Sequence, residues 1–278
     1  MSKVNLYLKA LMFIAIPLLC IAVYSQTVDR KELAGQHFSR ALEIIEEADE
    51  KILNISEWHR LRAEAVEELD KALELDPDNR KYLIERGRVV RDPWDAVADF
   101  TRAIELKRDD ADVYILRAEA EADNNKALAD YDKAITLQPK NAEFYSKRGE
   151  FHELNRRFDK ALADFSKAVA LEPDNLESIK KRASFFTQRR NYLMAIKDYT
   201  TIIKNHPEFP RGYLFRAEVY GNMRQYTKAI VDLTQLLKHD PNAAGALEER
   251  ARYHRLTGKP RLAAKDEAAA KKLRAAQN

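Results

Sequence analysis

The sequence predicts an all-α chain, a solenoid of stacked antiparallel helix hairpins. Three observations carry that expectation. Ala65, Ala96, Ala127, Ala161, Ala195, Ala229 and Ala263 recur at intervals of 31 and then 34 residues, and self-similarity at such a period marks a repeat architecture. Arg86, Arg117, Arg148, Arg182, Arg216 and Arg250 recur with them. Only 7 glycines and 9 prolines stand in 278 residues, too few breakers for an all-β fold with many tight turns.

Each element follows from its own pattern. Four residues after the first six alanines come Leu69, Phe100, Tyr131, Phe165, Tyr199 and Leu233, and seven after come Ala72, Ala103, Ala134, Ala168, Ile202, Leu236 and Ala270. Steps of four and then three trace one face of a helix. Pro77, Pro139, Pro173, Pro207 and Pro241 then stop that helix, with Arg108 in the slot once. A helix before each carries a small residue: Gly87, Ala118, Gly149, Ala183, Ala217 or Ala251. Small residues on both helices let the axes approach, so each pair reads as a hairpin. Asp92-Pro93 and Asp123 read as N-cap signals of their second helices.

With Tyr145, Arg148-Gly149, Phe158, Ala161, Phe165, Ala168 and Pro173 in one unbroken run, the chain resembles the tetratricopeptide repeat family. The resemblance covers about residues 45–275 and implies a right-handed α-solenoid. The expected organisation is a signal peptide over 1–25, a capping helix with a divergent first repeat over 26–79, five repeats over 80–110, 111–141, 142–175, 176–209 and 210–243, and a partial repeat with a solvating cap helix over 244–278. Repeats 80–110 and 111–141 lack three residues, so their hairpins should be shorter at one edge. Residues 30–54 read as one long helix with Leu33 and Phe38 on its apolar face. Leu262 and Leu273 of the last helix are expected to shield Leu236 and Tyr253.

Residues 1–25 carry Lys3 and Lys9 without an acid, then an apolar run from Ala10 to Val23. A basic start, a short apolar stretch and small residues at a cut site describe a secretory signal. Cleavage is expected after Ser25, giving a secreted or periplasmic chain; the alternative is a membrane anchor over residues 10–24. A lipoprotein reading would acylate Cys20, but Leu18 and Leu19 are bulky where small residues are needed. Cys20 is the one cysteine of the chain, so neither a disulfide framework nor a thiolate zinc site is available.

The recurrent arginines face recurrent acids: Glu68, Asp99, Asp130, Asp164, Asp198, Asp232 and Asp266. They read as a structural charge ladder. Pairing of each acid with the next repeat's Arg is the preferred direction, because Ile52 stands where Glu68 would need its own Arg.

No catalytic, cofactor or metal site emerges, and no enzyme is expected. The six histidines show no metal-ligand spacing, and the glycines form no phosphate loop. His206 and His239 fall at helix ends, while His152 and His254 replace an aromatic residue of the repeat. Phe185-Phe186 suggests one ring packed and one outward. Asn54-Ile55-Ser56 matches a glycosylation acceptor but reads as a helix start.

Stacked hairpins offer a concave surface for proteins or peptides. By the resemblance, its lining is Ile84, Arg88, Ile115, Glu119, Ser146, Glu150, Lys180, Ser184, Leu214, Glu218, Glu248 and Arg252. These signs are mixed, so the expected partner is a protein or peptide of mixed charge. The family's Lys-and-Asn carboxylate clamp is absent, since Lys180 is followed by Ser184. A net charge of +3 argues against nucleic acid as partner, and a membrane is implicated only if the N-terminal segment stays on. The alternative function is a structural or self-associating part of an envelope assembly. Its motive is charge asymmetry: residues 41–79 hold 13 acids and 4 bases, residues 250–278 hold 9 bases and 2 acids.

Overall fold

A computed structural model describes residues 29–51 and 54–276. The expected signal peptide, Cys20 and the alternative anchor lie outside the described residues. Among the described residues every regular element is a helix, and no helix is long and apolar enough to cross a membrane. The chain divides into two compact units, meeting in sequence at Pro139 and Lys140.

The first unit contains α1 over residues 29–50, α2 (Ile55–Leu75), α3 (Arg80–Val89), α4 (Pro93–Leu106), α5 (Ala111–Ala120) and α6 (Asn124–Leu137). They pack as successive hairpins. Helix α1 ends before residue 51 instead of reaching 54, because Asn54 caps α2: its side chain accepts from the Glu57 amide at 2.9 Å. Ala34, Phe38, Ala41, Ile44 and Ala48 form the buried stripe of α1, while Leu33 is 44% exposed. Leu33 lies one residue off the stripe and so faces water. Phe38 stacks on Tyr82 with ring centroids 4.7 Å apart, docking α1 on the first regular repeat.

Hairpins α3/α4 and α5/α6 show what the three missing residues remove. Helices α3 and α5 are each 10 residues long, against 13 in a full-length repeat. The chain then turns through extended backbone, and Asp92 accepts from the Trp94 amide of α4 and Asp123 from the Asn125 and Lys126 amides of α6. These are the N-caps read from the sequence, with Pro93 as first helical residue.

The second unit contains α7 (Ala142–Leu154), α8 (Phe158–Leu171), α9 (Leu176–Gln188), α10 (Tyr192–Asn205), α11 (Arg211–Asn222), α12 (Tyr226–His239), α13 (Ala244–Leu256) and α14 (Pro260–Ala275). Its hairpins use a different turn. Arg156, Arg190, Arg224 and Gly258 all have positive φ, between 57° and 73°. The amide one residue later donates back to a carbonyl of the last helical turn at 2.8 Å: Arg157 to His152, Asn191 to Phe186, Gln225 to Tyr220, Lys259 to His254. That is a Schellman closure, which needs a left-handed residue. Three of the four turns place an arginine there, at a cost of about 1 kcal/mol each.

The second unit's core shows two departures from the sequence reading. Phe185 and Phe186 are both buried, at 3% and 6% exposure, because Phe185 packs on Phe165 at 5.6 Å and Phe186 meets Phe185 at 6.3 Å. Neither ring is left outward. In α14 the buried face is Ala263, Asp266 and Ala270, while Leu262 is 46% exposed; small residues suit the close approach of α13.

Glycine stands where the facing ring is phenylalanine. A Cβ on Gly149 would lie 2.9 Å from the Phe165 ring, and one on Gly87 would lie 2.7 Å from Phe100. Gly149→Ala therefore gains helix propensity but overpacks the contact. The expected result is a net loss of about 1–2 kcal/mol, read from the urea unfolding midpoint.

Candidate functional site

The recurrent charges form pairs inside each hairpin, which corrects the forward direction expected from the sequence. Arg86 grips Asp99, Arg117 grips Asp130, Arg148 grips Asp164, Arg182 grips Asp198, Arg216 grips Asp232 and Arg250 grips Asp266. Each is a two-pronged bond through Nε and Nη2, for example 2.8 and 2.8 Å from Arg182 to Asp198. The partners are 13 residues apart in the short hairpins and 16 in the full ones. The deletion falls between them, so it moves the turn without moving the pair relative to the helices. Asp266, which forward pairing would leave without an arginine, is bonded like the others.

The forward link exists, but to another side chain. Nη1 of Arg86 donates to Asp70 at 2.7 Å, and Nη1 of Arg117, Arg216 and Arg250 donates to Thr101, Thr200 and Thr234 at 2.9–3.2 Å. Each acceptor lies two residues after the acid of the preceding repeat. Pairing acids with arginines alone could not reveal it, because three of the four acceptors are hydroxyls. Glu68 instead pairs with His37 at 2.7 Å and Lys71 at 2.7 Å. The Lys71 hydrogen bond first, and then His37, hold its carboxyl below the usual range.

His152 and His254 extend the pair in two hairpins. Each sits four residues after the arginine, is buried, and places Nε2 3.9 Å from the carboxylate of Asp164 or Asp266. Their Nδ1 atoms are buried without a hydrogen-bond partner. Burial lowers both pKa values; the aspartates oppose this, and Arg148, Lys160 and Arg157 around His152, or Arg250 and Lys259 around His254, add to it.

The expected groove residues divide between the two units. In the first, Ile84 is half-buried, Arg88 is exposed beside Glu85 at 3.3 Å, Ile115 is 3% exposed and Glu119 is exposed. In the second, Ser146 is 3% exposed with no hydrogen-bond partner for its hydroxyl, and Glu248 pairs on the surface with Arg274 at 2.7 Å. Glu150, Lys180, Ser184 and Glu218 converge on a cavity of about 450 Å³. Leu214, Glu218 and Arg252 line a second, of about 330 Å³. The first cavity also gathers residues that the sequence reading missed: Glu153, Glu177, Lys181, Phe165, Tyr199 and Phe215. Glu153 continues the stripe of Glu150 by one turn, so the helical period could have found it. Phe165 and Tyr199 pack in the core and also border the cavity.

The first unit holds a separate cavity of about 560 Å³. It comes from a length mismatch. Helix α2 has 21 residues against 14 in α4, an excess of roughly two turns or 10 Å, while α3 stops early. Trp58, Val66, Val89 and Val90 line the gap, with Arg62, Asp92 and Asp95 among its polar residues. Among the described residues no group of His, Cys, Asp or Glu could hold a metal ion.

Part of the chain, residues 123–175, matches models of the tetratricopeptide repeat. The description "TPR repeat" matches residues 123–155, and "Tetratricopeptide repeat" matches residues 142–175. The chain is similar in structure to a tetratricopeptide repeat protein from Parabacteroides merdae, with a TM-score of 0.59 and 19% identity over 87% of this chain and 93% of that one. It is similar to yeast Tom70, with a TM-score of 0.55 and 18% identity over 86% of this chain and 55% of that one. It is also similar to YrrB, described as a TPR protein with an unusual peptide-binding site, at 0.50 and 20% over 63% and 91%. At these identities the likeness concerns the fold. No curated protein sequence matches the chain.

Two measurements check the charge ladder. Arg182→Ala strands Asp198, which is 2% exposed, so it should cost about 3 kcal/mol. Arg60→Ala breaks an exposed pair with Glu64 and should cost under about 1 kcal/mol; urea unfolding distinguishes the two. The histidines give a pH dependence. Their folded pKa values lie below the unfolded value near 6.5, so the unfolded chain takes up protons first and stability falls as pH drops through about 6.5. The loss levels off once the folded form also protonates. In His152→Phe/His254→Phe, the melting temperature should change less between about pH 7.5 and 5.5 than in the parent chain.

Proposed function

We propose that the chain is a non-enzymatic interaction scaffold, binding a peptide or protein segment on the face formed by α7, α9 and α11, outside the cytoplasm. The cavity at Glu150, Lys180, Ser184 and Glu218 carries this reading. It joins charged side chains of both signs to aromatic walls, the composition of a recognition surface for a segment of mixed character. The repeat identity supports the choice of partner class, since stacked hairpins present binding surfaces rather than catalytic ones. Export rests on residues 1–25, with their basic start, apolar run and small residues at Val23 and Ser25.

Self-association is a second reading, favoured by the acidic 41–79 and basic 250–278 segments. It would weaken with salt, as contacts between exposed charges do.

A photo-crosslinking amino acid placed at Ser184 in the native host should capture a partner. The same probe at Leu193, which is 73% exposed on α10, should not. Equal capture from both positions would sink the groove. N-terminal sequencing of the exported chain should begin at Gln26; a chain retaining residues 1–25 would overturn cleavage. Loss of a larger species at high salt, without any captured partner, would favour self-association.

A further inference from the structure

The charges lining the second unit's first cavity do not balance. Glu150, Glu153, Glu177 and Glu218 face Lys180 and Lys181. Both lysines are already engaged: Lys181 holds Glu150 at 2.7 Å and Lys180 holds Glu177 at 2.5 Å. Two carboxylates remain. Glu218 is exposed on α11, and no hydrogen bond or ion pair joins it to any described residue. Glu153 sits in the last turn of α7, and its Oε1 is closed off from solvent with no hydrogen-bond partner.

A buried acceptor without a donor is costly, roughly 1–3 kcal/mol and more when charged, so such an atom on a residue that lines the cavity asks for an explanation. The nearby cation does not supply one. Arg189 acts on Glu153 only at longer range and lies instead over the Phe158 ring at 4.0 Å. Burial pushes the Glu153 carboxyl upward, as expected for an acid left without its counter-charge.

The rest of the wall combines the neutral polar side chains Ser184, Thr187 and Gln188 with three aromatic rings. Phe165, Tyr199 and Phe215 line the same cavity, and the Tyr199 and Phe215 rings lie 5.6 Å apart. Aromatic faces suit the methylene stem of a long cationic side chain and attract the charge at its end. An acidic side chain would meet two unpaired carboxylates and no free cation. A purely apolar one would leave both carboxylates without a counter-charge.

We propose that this cavity is a subsite for a cationic side chain, a Lys or Arg of a partner's segment, which donates to the exposed Glu218 and is drawn by the Glu153 carboxylate while its stem lies against Phe215 and Tyr199. This inference rests on the groove reading and adds the chemistry of what enters it. The segment recognised is one that inserts a basic residue flanked by apolar ones.

The test is selection of a random dodecapeptide library, displayed on phage, against the full chain and against Glu153→Gln/Glu218→Gln. The parent chain should enrich Lys or Arg at one fixed position, and the variant should lose that preference while keeping the apolar flanks. In a synthetic peptide of the selected sequence, norleucine in place of the basic residue should weaken binding to the parent about tenfold, and to the variant by less than about twofold, in fluorescence anisotropy. If the double variant does not give a cooperative melt, Glu218→Gln alone carries the comparison, because Glu218 is exposed. Enrichment of peptides without a basic residue, or equal binding of the norleucine peptide, would overturn the cation subsite and leave the groove standing. Failure to enrich any sequence on the parent would remove both.

Discussion

The two-pronged bond between one arginine and one aspartate holds each regular hairpin in register. The six aspartates in these pairs are buried, at 2–6% exposure, and a carboxylate so placed is tolerable only with its partner in hand. Because the guanidinium is planar and its donors are fixed, the bond sets the height of the first helix against the second as well as holding them together. In Arg86, Arg117, Arg216 and Arg250 the third nitrogen then reaches the preceding repeat, at Asp70, Thr101, Thr200 and Thr234. In those four one side chain therefore sets register within a repeat and between repeats. In the N-terminal hairpin His37 takes the arginine's place opposite Glu68, and the two helices there run longer.

The turns follow from the spacing that the pair leaves over. With 16 residues between partners, the chain closes through a left-handed residue at Arg156, Arg190, Arg224 or Gly258. With 13, that residue is gone, and Asp92 or Asp123 caps the second helix directly. The two solutions satisfy the same orphan amides and carbonyls by different means. The shorter one exposes part of α2, which is why Trp58 and Val66 border a cavity that a full-length neighbour would narrow.

The candidate groove was legible in part. Glu150, Lys180, Ser184 and Glu218 could be read because they recur at one position of the first helices. Glu153 and Gln188 lie one turn further along the same stripes and needed only the helical period. Phe215 could not be read from its own repeat. It stands beside Leu214 on a helix whose apolar residues run nearly all round, and only its neighbours Tyr199 and Phe209 decide which way it faces. Ile115 and Ser146 occupy the same repeat position as the groove residues and are buried all the same.

Repetition within one chain made much of the fold readable without a structure. A residue type that returns at the same interval must meet the same local demand each time, so helix faces, stops, caps and the identity of the charged pair all follow from the sequence. Pairing direction did not, because an acid can reach an arginine ahead or behind with the same residue types. The choice fell to distance across the hairpin, where antiparallel helices put residues 13 or 16 apart side by side. The state of each charge was also left to packing. Lys180 and Lys181 look like free cations in the sequence, and the folded second unit spends both on neighbouring glutamates, leaving the Glu153 Oε1 without a donor.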